Sequence, residues 1–116
     1  NKGHQIFISN ITIFELSAKG AKYAALGKIP PERVIRGVKA LAYSETINTI
    51  EAYESTILLI AFKLRSILSD FIDCLILSSA INQCDALITE DKDIQNIKGD
   101  EKYQEIVTKR NSKYIN

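Results

Sequence analysis

Gln5-Ile6-Phe7-Ile8-Ser9-Asn10-Ile11-Thr12-Ile13-Phe14-Glu15-Leu16 changes its periodicity halfway along, and that change decides the fold. Residues Gln5 to Ile8 are a short β-prone run. Ser9 is a good helix N-cap. From Asn10 to about Ala25 the pattern is helical, with Ile11, Phe14, Ala18, Ala21 and Ala25 on one stripe. A strand that feeds straight into a capped helix is the opening half of a β–α unit.

Working outward, the same alternation recurs. Gly27 and Pro30-Pro31 punctuate the chain, and Pro31 suits the first turn of a new helix. Glu32 to Ala42 is amphipathic, with Val34, Ile35, Val38 and Leu41 inward and Arg33, Arg36 and Lys39 outward. Glu45 to Ile50 is a weak strand candidate, and Glu51 to Leu68 is expected to be a very apolar helix. Ser69 and Asp70 offer caps for a helix from Phe71 to Gln83. Asp85 to Thr89 reads as a buried strand through Ala86-Leu87-Ile88, Asp91 to Ile97 as a turn or short helix, and Tyr103 to Val107 as a last strand. Residues 109–116 read as a polar C-terminal tail. Strands alternating with helices give the α/β class with a mainly parallel sheet. In such sheets ligands sit beyond the carboxyl ends of the strands.

Composition excludes several classes. The 116 residues are 46% apolar and 25% charged, which suits one soluble globular domain with its own core. No apolar run approaches the roughly 18 residues of a membrane-spanning helix, so no membrane partner is expected. Cys74 and Cys84 on one helix would stand roughly 15 Å apart along its axis, too far for a disulfide. With one His and no Cys-x-x-Cys pair, a zinc site is not expected, and free thiols fit a reducing, cytoplasmic compartment. A chain that lacks Met and opens on Asn1 is expected to continue a longer translation product.

The residues able to carry chemistry are carboxylates, namely Glu15, Asp70, Asp73, Asp91 and Asp93, each following or opening an element that comes after a strand candidate. Hard cations take oxygen ligands of this kind, together with water and substrate phosphate. Each acid also has a plain structural reading. Glu15 precedes Lys19 by four residues, the favourable order for a helix-surface pair. Asp70 and Asp73 resemble a capping box, and Asp91 and Asp93 suit a turn. Arg33, Arg36 and Lys39 form a basic stripe that reads either as a solvated helix face or as a phosphate contact.

Taken together, these segments resemble the PIN-domain family. Ser9 to Leu16 resembles its helix signature, in which a Ser opens the helix and a Glu follows six residues on. Asp73-Cys74-Leu75-Ile76-Leu77-Ser78-Ser79-Ala80 resembles its Asp followed by an apolar, small-residue helix. Ala86-Leu87-Ile88-Thr89-Glu90-Asp91 resembles its strand ending in Thr-x-Asp. The resemblance implies a three-layer αβα PIN-like fold with a mainly parallel central sheet. It also implies a ribonuclease that uses Mg²⁺ or Mn²⁺, with Glu15, Asp73 and Asp91 as catalytic metal ligands. Asp70 and Asp93 are weaker candidates, and Thr89 would orient Asp91 or a water. Many relatives are VapC-type toxins held by a small antitoxin protein and commonly dimeric. RNA is therefore the implied substrate, and an antitoxin and a homodimer are the implied partners. The nearly all-apolar helix from Glu51 to Leu68 adds a reason to expect self-association.

The resemblance also implies a central first strand ending in an Asp, and a first helix, neither of which precedes Glu15 here. Residues 1–116 are accordingly expected to form one PIN-like domain that is N-terminally incomplete. The segment before Asn1, or a second chain, would supply that strand and the remaining aspartate. The competing expectation is a catalytically degenerate PIN-like module that serves protein or RNA binding.

Overall fold

The computed structural model describes residues 3–115. The chain divides into two compact units, Asn1–Glu51 and Ala52–Asn116. The first unit begins with strand β1 (Ile6–Ser9), whose last residue caps helix α1 (Asn10–Ala25): the Ser9 hydroxyl oxygen accepts the Ile11 N–H at 3.2 Å. Helix α2 (Pro31–Ala42) and strand β2 (Ile47–Ile50) follow. β1 and β2 pair in parallel, with Ile6 opposite Ile47 and Ser9 opposite Ile50. Parallel neighbours cannot be joined by a tight turn, so the chain must cross over between them. The α1–α2 hairpin is that crossover. A mixed fold with a small parallel sheet is the α/β class that the periodicity implies.

Local chemistry fixes the hairpin. Gly27 adopts φ +74°, the left-handed conformation that ends α1 without a Cβ penalty. The Lys28 N–H then donates to the Tyr23 carbonyl at 2.9 Å and the Gly27 N–H to that of Ala24 at 3.0 Å, a Schellman closure. Pro31 opens α2, where its missing N–H costs nothing. Ahead of β2 the Ser44 hydroxyl accepts the N–H groups of Thr46 and Ile47, both at 3.1 Å.

One expectation about α1 is overturned. Of the stripe Ile11, Phe14, Ala18, Ala21, Ala25 only Ile11 is half-covered: Phe14 is 70% exposed and the three alanines lie on the exposed side. Beyond it the half-covered face runs through Ile13, Ser17, Gly20 and Ala24. That face is lined by small residues, which let α2 come close. On α2, Val34, Val38 and Leu41 are half-covered as expected, but Ile35 is exposed.

The second unit contains α3 (Ser55–Leu64), α4 (Phe71–Gln83), α5 (Lys92–Asn96), a 3₁₀ turn at Ile97–Gly99 and α6 (Glu101–Ile115). Its core joins Ile57, Ala61 and Leu64 of α3 to Cys74, Leu75 and Leu77 of α4, with Ile94, Ile97 and Ile106 also buried. Small side chains again permit the approach. Ser78 is fully buried and its hydroxyl donates to the Ile57 carbonyl at 2.6 Å, so this polar group is satisfied.

Three further expectations fail here. The helix expected over residues 51–68 is shorter at both ends. At its start the Glu54 carboxylate accepts the N–H groups of Thr56 at 3.1 Å and Ile57 at 3.3 Å, which sets the first turn at Ser55. At its end the Ile67 and Leu68 N–H groups both close on the Leu64 carbonyl at 2.9 Å, and the chain turns out. Residues 86–88 are not a buried strand: they form no regular element, and Ile88 is 99% exposed. β-propensity is satisfied by extended backbone alone, whereas a ladder also needs a neighbour, and no described strand pairs with this run. Residues 103–107 lie inside α6, and that helix carries on through the expected polar tail to Ile115. Asp100 decides this, because its carboxylate accepts the Lys102 N–H at 2.8 Å and the Tyr103 N–H at 3.2 Å. Tyr103, Ile106 and Val107 then recur at helical spacing and are the covered side. Among the described residues no helix is long and apolar enough to cross a membrane.

The α1–α2 contact makes Gly20 a packing requirement. A Cβ there would lie 2.5 Å from Cγ1 of Val34, a β-branched side chain that is stiff in a helix. Overpacking of this kind costs roughly 1–3 kcal/mol, more than the roughly 1 kcal/mol of helix propensity that alanine brings. Gly20→Ala is therefore expected to lower the unfolding free energy in chemical denaturation. Combined with Val34→Ala, the cycle should show favourable coupling between the two changes. Additive effects would mean that the two helices do not meet at this point.

Candidate functional site

Four of the five candidate acids belong to the second unit, and the helix starts position them. Asp70 is the N-cap of α4, its carboxylate accepting the Ile72 N–H at 2.8 Å, while Asp73 sits half-buried in the first turn. A carboxylate at each of these positions is favoured by the unpaired N–H groups and positive end of the helix. Asp70 is exposed.

Asp91 is held more completely. Its Oδ1 accepts the Ile94 N–H at 3.0 Å, which makes it the N-cap of α5. Its own N–H donates to the Thr89 hydroxyl oxygen at 3.1 Å, and the Gln95 side-chain amide donates to the Thr89 carbonyl at 2.8 Å. Thr89 therefore orients Asp91 through the backbone. Asp93 stands exposed in the first turn of α5. Glu15 belongs to the first unit, where it is exposed on α1 in a shallow recess with Thr12, Leu16, Ala18 and Lys19.

Asp73 and Asp91 thus arrive at the starts of two helices of one unit, both half-buried. Among the described residues, no three His, Cys, Asp or Glu side chains come together in a way that could hold a metal ion. The donor chemistry itself is of one kind. Every candidate offers carboxylate oxygen, which matches Mg²⁺ or Mn²⁺ rather than a softer metal.

A cation that the sequence did not single out enters this neighbourhood. Burial pushes the Cys74 thiol above its ordinary value of 9.0; the Arg65 guanidinium opposes that shift, while Asp73 and Asp70 reinforce it. Arg65, Asp70 and Asp73 are therefore electrostatic neighbours around one buried sulfur. Arg65 also donates through Nη1 to the Leu68 carbonyl at 3.3 Å, pinning the α3–α4 connection. Its role was hidden because residues 51–68 read as one uninterrupted helix. Burial likewise raises the Cys84 thiol, with Asp85 adding to the effect.

A thiol whose folded-state pKa is raised holds its proton longer than in the unfolded chain. The stability it contributes is complete below about pH 9 and is lost as pH rises through the folded value. Alkaline titration of the unfolding free energy should thus show a loss above pH 9, and the loss should be shallower in Cys74→Ala. Native Cys74 should also alkylate far more slowly with iodoacetamide than in denaturant, because the thiolate is the reactive form. Equal native and denatured rates would contradict the burial.

The comparisons with known proteins bear on the family. The family model of the PIN domain matches residues 1–100, a span that contains Glu15, Asp73 and Asp91. No curated protein and no solved structure matches the chain significantly. PIN domains are generally nucleases that use divalent metal ions. A match over that share of the chain, on a mixed fold with a small parallel sheet, establishes that this protein belongs to the PIN-domain family.

Proposed function

We propose that the protein is a divalent-metal-dependent endoribonuclease that hydrolyses RNA phosphodiester bonds. The observation that carries this reading is the PIN match over residues 1–100, which spans all of the carboxylates that chemistry would select. From the family resemblance we assign Asp73 and Asp91 to holding Mg²⁺ or Mn²⁺, with Glu15 as the third acid of the family pattern and Asp70 and Asp93 as weaker candidates. Bound there, the cation would supply charge neutralisation on the phosphate and a lowered pKa for the attacking water. The chain's own contribution is positional. Thr89, Ile94 and Gln95 fix the Asp91 carboxyl group with Oδ1 engaged, so that its orientation is set before substrate arrives. Asp73 is carried in the first turn of α4.

We read the physiological role as that of a toxin in a toxin–antitoxin pair. The small antitoxin protein would then be one partner and a second copy of the chain another. The exposed apolar residues Leu59 and Phe62 on α3 support a homodimer.

Cleavage of labelled single-stranded RNA in the presence of Mn²⁺ tests the proposal. Asp73→Asn and Asp91→Asn should each lower the rate by on the order of a thousandfold, the several kcal/mol that a metal-held phosphate contributes. Asn caps helices as well as Asp does, so Asp91→Asn should not lower the melting temperature appreciably in the absence of metal, and Asp73→Asn should cost only the small charge–dipole contribution at the helix start. Millimolar Mn²⁺ should raise the melting temperature of the parent chain and not of Asp73→Asn. A parent chain that binds RNA without cutting it, and whose melting ignores Mn²⁺, would instead identify a catalytically degenerate binding module.

A further inference from the structure

Charge is strongly segregated along this chain. Between Leu16 and Ser44 stand six cations (Lys19, Lys22, Lys28, Arg33, Arg36 and Lys39) and one acid, Glu32. That segment carries +5 within a chain of net charge +1, so the remaining residues together carry −4. All six cations are exposed. They belong to one element, the α1–α2 hairpin, closed by the Gly27 turn and held together at Gly20 against Val34. An ordinary solvated helix face interleaves Glu and Lys four residues apart and cancels its own field. Here such pairs are Glu15 with Lys19 on α1 and Glu32 with Arg36 on α2, which leaves four of the six cations without an acid four residues before them.

The hairpin also exposes aromatic surface beside the charge. Tyr43, the C-cap of α2, is 79% exposed, and Phe14 on α1 projects into solvent as noted above. Tyr23 carries the Lys28 ammonium 5.8 Å from its ring centroid. Cations spread over a rigid scaffold with exposed rings are what tracking a single nucleic-acid strand requires: the charges take phosphates and the rings take bases. Arg33 and Arg36 are suited to phosphate because the guanidinium fork is planar and permanently charged.

We propose that the α1–α2 hairpin is a binding surface for the phosphate backbone of single-stranded RNA, independent of base sequence and carried by residues other than the aspartates assigned to catalysis. The choice of RNA over other polyanions rests on the ribonuclease reading above; the existence of a polyanion surface does not.

The test is anisotropy of a labelled single-stranded oligoribonucleotide titrated with the full chain in EDTA, which removes cleavage, at several salt concentrations. Arg33→Glu combined with Arg36→Glu should weaken binding by tenfold or more at about 0.1 M salt. The slope of log K against log salt should shrink by about 1.4, corresponding to roughly 0.7 per lost phosphate contact on a single strand. The same charge change at Lys102 and Lys109 on α6 should do neither, and circular dichroism of each variant checks that the helices persist. Asp73→Asn should bind like the parent, so a failure of the nuclease assignment leaves this measurement intact. Coincident slopes for the parent and the Arg33/Arg36 variant would overturn the proposal. So would displacement of the RNA by polyglutamate at matched charge, which would mark the hairpin as a surface for acidic protein.

Discussion

Every α-helix after the first crossover, apart from proline-opened α2, begins where a side-chain carboxylate meets the unpaired N–H groups of its first turn. Ser9 does the same for α1 with a hydroxyl, and Glu54, Asp70, Asp91 and Asp100 serve the four helices of the second unit. An uncapped helix start leaves backbone donors without partners, and losing such a cap costs roughly 1 kcal/mol. These contacts determine where each helix begins, and therefore which residues reach the core and which acids stand at the helix ends. Of the candidate carboxylates, Asp70 and Asp91 belong to this capping system, so capping and the proposed metal binding would draw on the same groups. Asp91 shows how the two coexist: one oxygen is committed to the Ile94 N–H while Thr89 and Gln95 hold the backbone around it.

Small residues do the second part of the work. Gly20 admits Val34 between α1 and α2, and the buried pair Ser78 and Ser79 lies at the α3–α4 contact. A hydroxyl in such a place must find an acceptor. Ser78 uses the Ile57 carbonyl of the facing helix and Ser79 the Leu75 carbonyl of its own. Both buried hydroxyls are thereby satisfied.

The two units divide the chemistry between them. The first holds the basic hairpin and Glu15, while the second holds the aspartates, the buried thiol of Cys74 and Arg65. Acids alone would repel RNA, because a phosphodiester and a carboxylate carry the same sign of charge. On the proposed reading, a cation at the acids would relieve that repulsion locally, and the basic hairpin would supply attraction at longer range.

The sequence by itself determined the order of most elements and the two ends of several. α1 and α4 begin and end at the residues that cap and periodicity indicate, and α2 starts one residue earlier, at the proline that can only open a helix. The family was legible for the same reason: Ser9 with Glu15, Asp73 with its apolar helix, and Thr89 with Asp91 are local patterns whose spacing survives in one dimension. Tertiary structure decided what depends on neighbours. Ala86-Leu87-Ile88 has strand-like residues but no described partner strand, and Tyr103 to Val107 has β-prone residues that the Asp100 cap recruits into α6. The covered face of α1 follows Ser17, Gly20 and Ala24 rather than the more apolar stripe, since the closest approach of a second helix selects small side chains over greasy ones. Periodicity reports which residues prefer to leave water, whereas packing density and hydrogen-bond closure decide which of them are able to.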